Sequence, residues 1–216
     1  MRSFRTGQFV AAALALVPGW ALAQHEHDHM HVAPEKFGQV RFPTSCNREV
    51  QSAFERGLAL LHSFAYAKAA TVFQEVSAKD PDCGLAQWGV AMTYFHTIWG
   101  PPTEGEFAAG RAAAQKAAAL GAPSARERDY IAGITAYYQG DAVAHPARVV
   151  AYEKAMAGVH ERNPDDHEAA IFHALAILGV AYNSPPDKTY ARQKEAAKIL
   201  NGLLAVEPII RGSPTT

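Results

Sequence analysis

Short of cysteine, of basic excess and of long apolar runs, the chain excludes several functions before any motif is read. Its two cysteines, Cys46 and Cys83, cannot build a disulfide-dense scaffold or a site of paired zinc cysteines. Lysine and arginine number 20 against 21 aspartates and glutamates, so no basic stripe is present to hold nucleic acid. No apolar run reaches the roughly 18 to 20 residues that a membrane-spanning helix needs. There is no glycine-rich phosphate loop and no nucleophile elbow. No general acid, base and nucleophile converge, so the pattern is not that of an enzyme and calls for no cofactor. No segment alternates apolar and polar residues convincingly enough to read as a strand.

What is present begins with a leader. Arg2 and Arg5 precede an apolar stretch from Phe9 to Leu16, and Ala21-Leu22-Ala23 forms a small-residue cleavage site before Gln24. Residues 1–23 therefore read as a cleaved secretory signal, which places the mature protein in the periplasm or outside the cell. The first cysteine is Cys46, too far along for a lipid anchor at the new N-terminus. Loss of Arg2 and Arg5 leaves 18 basic residues against 21 acidic ones. Residues 24–43 are polar, histidine-rich and broken by Pro34 and Pro43, and read as a flexible lead-in. Here His25, His27, His29 and His31 alternate with Glu26, Asp28 and Met30. In an extended chain the four imidazoles share one side. Imidazole suits zinc, copper and nickel, and Met30 suits copper(I). His25 to His29 also fits H-E-x-x-H in form, but that motif needs a buried helix and a third ligand.

From about Ser45 to Val206 the pattern is helical. Val50, Phe54, Leu58 and Leu61 fall on one helix face, and Ala69, Phe73 and Val76 on another. Pro81, Pro123, Pro164 and Pro208 recur 42, 41 and 44 residues apart, each closing one helical segment and opening the next. Thr103 with Glu106, Ser124 with Glu127, and Asp165 with Glu168 have the spacing of helix-starting capping boxes. Glycine and proline breaks inside the units split each in two. The expectation is eight helices in four hairpins, at about 44–81, 82–123, 124–164 and 165–208. Such a period marks a stacked helical array, which offers a long surface and seldom carries chemistry.

Gly57, Ala69, Phe73 and Pro81 follow one another at steps of 12, 4 and 8. Tyr152, Met156 and Pro164 repeat the last two steps, as do Ala196, Leu200 and Pro208. This spacing resembles the tetratricopeptide repeat, with its G…A-x3-F…P pattern. HEAT-type repeats, which have a longer period, are the rival reading; the Ala69, Phe73 and Pro81 match favours the tetratricopeptide type. Leu60 to Phe64, Tyr66, Cys83, Trp88-Gly89 and Ala91-Met92 look like the opening repeats of secreted bacterial tetratricopeptide proteins of unassigned function. The resemblance implies an all-α, right-handed α-solenoid of about four stacked hairpins over residues 44–208, followed by a disordered tail at 209–216.

In that family the first helix of each hairpin lines the concave, ligand-holding side. Phe54 and Trp88, Leu58 and Met92, Leu61 and Phe95, and His62 and His96 are each separated by 34 residues. By resemblance these eight residues line a groove for a protein or peptide ligand, with the two imidazoles close enough to meet at one ligand. Cys46 and Cys83 lie near the starts of adjacent first helices, and export permits a disulfide between them. His173 reads as a satisfied core histidine, and the cluster of Tyr130, Tyr137, Tyr138 and Tyr152 as packing. The leading function is an exported scaffold or binding protein. The alternative is a periplasmic transition-metal-binding protein using the N-terminal histidines. The last helix carries Ile199, Leu200, Leu203, Leu204 and Val206, with Ile209 and Ile210 beyond. An exposed apolar end is expected there, either a truncated end or a surface for self-association.

Overall fold

A computed structural model of the chain describes residue 38, residues 40–140 and residues 144–206. Among these residues there are eight α-helices and no strand. They are α1 (Gln51–His62), α2 (Tyr66–Lys79), α3 (Gly84–Thr93), α4 (Glu104–Leu120), α5 (Ala125–Tyr138), α6 (His145–Arg162), α7 (His167–Tyr182) and α8 (Ala191–Val206). A single 3-10 turn, Arg48–Val50, leads into α1. No described helix is long and apolar enough to cross a membrane.

Local chemistry sets the starts. Thr103 and Glu106 exchange bonds in a full capping box on α4. Ser124 caps α5 by accepting from the Glu127 amide. The Glu127 carboxylate does not return to the Ser124 backbone; it accepts from the Ser124 hydroxyl and, 82 residues away, from the Ser45 amide at 2.6 Å. The cap of α7 is Asp166 rather than the expected Asp165, its side chain accepting from the Glu168 amide. Cys83 caps α3 through Sγ.

Each helix packs on the next in sequence, and the first helices α1, α3 and α5 also touch in turn. Phe73 of α2 is the wedge between the first two hairpins. A Cβ on Gly57 of α1 would stand 2.9 Å from its ring, and one on Gly89 of α3 would collide with it. Those two glycines let the helices close on a fully buried phenyl group. The main core is aromatic, with Phe42, Phe54, Phe73, Trp88, Phe95, Tyr130, Tyr137, Tyr152 and Phe172 all buried. A second small cluster joins α7 to α8 through Ala174, Ile177 and Ala196, with Ile199 and Leu200 against it. Leu203 and Leu204 stay half-buried. Ile209 and Ile210 of the expected apolar end lie outside the described residues, as do His25, His27, His29 and His31.

The lead-in differs from its expected character near its end. Phe42 is 0 % exposed and part of the core. Its amide donates to Glu55 and its carbonyl accepts from Gln51. Polar composition hid one aromatic side chain with a socket waiting for it.

Candidate functional site

The aromatic residues expected to line a groove are packed in the core instead. Phe54 and Trp88 do meet, with ring centroids 6.3 Å apart. Phe42 closes over both at 5.5 and 6.0 Å, while Tyr130 of α5 and Phe172 of α7 stand edge-on to Trp88. Leu58, Leu61, Met92 and Phe95 are buried as well, so none of the six apolar residues named for the groove faces solvent. The lead-in and α7 cover the faces that the first helices would otherwise present.

The two histidines go to different partners. His62 ends α1, places Nε2 2.6 Å from Glu168 Oε2 and packs on the Phe172 ring at 5.1 Å. His96 lies beyond the end of α3, against Tyr66 at 4.7 Å. Their common spacing along the chain does not make them equivalent, because α3 stops at Thr93 while α1 runs through His62.

Beside this core lies a cleft of about 1650 Å³. One side is the end of the lead-in from Val40 together with Thr44 and Ser45. The end of α1 contributes Ala59 and His62, and the first turns of α5 and α7 contribute Arg126, Glu127, Asp166 and Glu168. The apolar side is Ile171 of α7 with Leu200, Leu203 and Leu204 of α8. The charged side is braced. Arg126 Nε donates to Asp166 Oδ2 at 2.6 Å, and its Nη1 donates to the Pro43 carbonyl at 3.1 Å. The same guanidinium lies 3.9 Å over the Phe42 ring. Tyr130 donates to Asp166 at 2.9 Å. Burial, followed by the charge of Asp166, pushes the Tyr130 phenol far above its ordinary range, so it remains a donor. Charge-assisted hydrogen bonds of this kind hold the side chains in fixed orientations. The cleft therefore offers oriented donors and acceptors on one side and leucines on the other.

Sequence reasoning missed Arg126, Glu127, Asp166 and Glu168 as members of this site, and Tyr130 as the donor that braces Asp166. Glu127 and Glu168 were legible only as capping partners, and Tyr130 as packing. Nothing periodic links His62 to Glu168, which lies 106 residues away.

Cys46 and Cys83 are joined in a disulfide, with Cα atoms 5.1 Å apart. It ties the segment just before the 3-10 turn to the start of α3. Asp80 adds a further clamp, accepting from the Asn47 amide at 2.7 Å. Asp80 and the two sulfurs lie within 4.8 Å of one another, but the sulfurs are used in their own bond.

Two other histidines give the fold an acid limit. His145 is held against Tyr137, and burial followed by the charge of Arg148 lowers its pKa. His173 is lowered by burial and then by His160. A histidine whose folded pKa lies below its unfolded value contributes stability above about pH 6.5, and that contribution is lost as pH falls. The melting temperature should therefore drop between pH 7 and pH 5. A calorimetric melting curve that is flat or rises on acidification would contradict this.

No family model, curated protein or solved structure matches the chain.

Proposed function

We propose that the chain is an exported, tetratricopeptide-like scaffold or binding protein that holds a protein or peptide segment in the cleft over His62. In this reading the four hairpins stack as a right-handed α-solenoid, and the protein binds its ligand without turning it over. Packing of consecutive helices, with α1, α3 and α5 touching in turn, supports the stacking. So do Ala69 and Phe73, both fully buried at the positions where the repeat pattern puts a small residue and a wedge. The observation that carries the binding role is the cleft itself. At about 1650 Å³ it exceeds the roughly 300–1,000 Å³ of ordinary small-molecule sites. A polypeptide segment uses both of its sides. Its apolar side chains pack on Leu200, Leu203, Leu204 and Ile171, and its backbone meets the fixed polar groups of α5 and α7.

Panning a peptide library on the full chain tests this. Peptides selected on it should lose affinity by about tenfold or more, or 1.4 kcal/mol, in the Leu204→Glu variant. They should bind Trp99→Ser unchanged, since Trp99 is exposed and does not line the cleft. Equal affinity for Leu204→Glu, or no selectable peptide, would contradict the reading.

A further inference from the structure

At the interface of α6 and α7 two imidazoles meet nitrogen to nitrogen. His160 stands in the last turn of α6 and His173 in the body of α7. Their Nδ1 atoms are 3.2 Å apart and both rings are half-buried. The helices that carry them are fixed by buried neighbours, among them Val159, Phe172 and Ala176. On the other side of the His173 ring, Nε2 faces Glu153 Oε1 at 3.6 Å. That carboxylate favours a proton on Nε2 and leaves the Nδ1 lone pair aimed at His160. The titratable groups that face His173 are His160 and Glu153 from α6 and Glu195 from α8. Glu153 and Glu195 place two carboxylates on the side of the pair nearest His173, which favours a cation there.

We propose that His160 and His173 form a binding site for a divalent transition-metal ion of the zinc or nickel type, with Glu153 positioning His173. Two imidazole nitrogens on one tetrahedral ion at 2.0–2.1 Å stand about 3.3 Å apart, close to the separation already present. Imidazole is the ligand such ions prefer. A carboxylate on the far nitrogen is the usual partner that fixes ring and tautomer. Without an ion the pair is satisfied, His160 Nδ1–H donating to His173 Nδ1. The ion replaces that shared proton, which moves through solvent to His160 Nε2. Both Nδ1 lone pairs then face the metal and no net charge is lost from the rings. Water completes the coordination. The site links the third hairpin to the fourth, and α7 also carries Asp166 and Glu168 into the cleft. It stands independently of what the cleft binds.

The test uses the full chain with His25, His27, His29 and His31 changed to alanine, which removes the competing tract. Calorimetric titration with zinc chloride and with nickel chloride should give one ion per chain. His160→Asn and His173→Asn should each abolish stoichiometric binding, and Glu153→Gln should weaken it by about tenfold. His96→Gln should leave it unchanged. Helical circular dichroism of each variant checks folding, and His160→Asn reads the same site from the opposite helix if His173→Asn does not fold. Zinc should also raise the melting temperature of the parent and not of His160→Asn, because an ion bound only to the native state stabilises it. Undiminished binding in both histidine variants, or no binding in the parent at millimolar ion, would overturn the proposal.

Discussion

Phe42→Ala should destabilise the fold by about 3–5 kcal/mol, the usual cost of emptying a buried phenylalanine site. The residue lies among polar neighbours only a few positions before the first helical turn, where a substitution in a mobile lead-in would cost about 0.5 kcal/mol or less. In the structure its ring is fully buried. It sits 5.0 Å from Tyr130 by ring centroid, with Phe54 and Trp88 beside it and the Arg126 guanidinium above. Truncation leaves a cavity bordered by three aromatic rings and removes a cation–π partner from Arg126. Those rings belong to α1, α3 and α5, so the loss is felt across three hairpins. Urea unfolding followed by tryptophan fluorescence measures it directly.

Replacing both Cys46 and Cys83 by alanine should cost about 2–4 kcal/mol. The bond closes a loop between residues 37 apart in sequence. Opening it returns conformational freedom to the unfolded chain and removes the Cys83 cap on α3. Thiol titration of the unfolded, unreduced protein should find no free thiol; two per chain would remove the bridge from the account. The disulfide and Phe42 hold the same stretch of chain at neighbouring points. Their combined loss should therefore be smaller than the two separate losses added together, since neighbouring sites couple. Strict additivity would mean that the segment is not held as one unit.

The helices were legible because periodicity and caps are local. Thr103 with Glu106 announces α4, and it forms the box its spacing suggests. The small residues Gly57 and Ala69 and the wedge Phe73 were legible for the same reason. What closes over the first helices was not. Phe54 on α1 and Trp88 on α3 each belong to an apolar helix face, and such a face looks the same whether a ligand or the protein covers it. The answer lay in Phe42 and Phe172, which belong to segments far apart in sequence. The 34-residue offset of His62 and His96 was likewise real in the sequence and without force in space, because helix lengths set which residues face each other. The charged side of the cleft is made by the first turns of α5 and α7, where acidic residues commonly serve as caps. Only their contacts with His62, Ser45 and Arg126 show a second use.

In the proposed function, ligand is held between the charged turns of α5 and α7 and the leucines of α8. Hydrogen–deuterium exchange on the full chain, with and without a panned peptide, tests it most directly. Protection should increase in the segments around Arg126, Asp166 to Glu168 and Leu200 to Leu204, and in the lead-in near Arg41. Protection confined to the outer surfaces of α2, α4 and α6, with those segments unchanged, would contradict it.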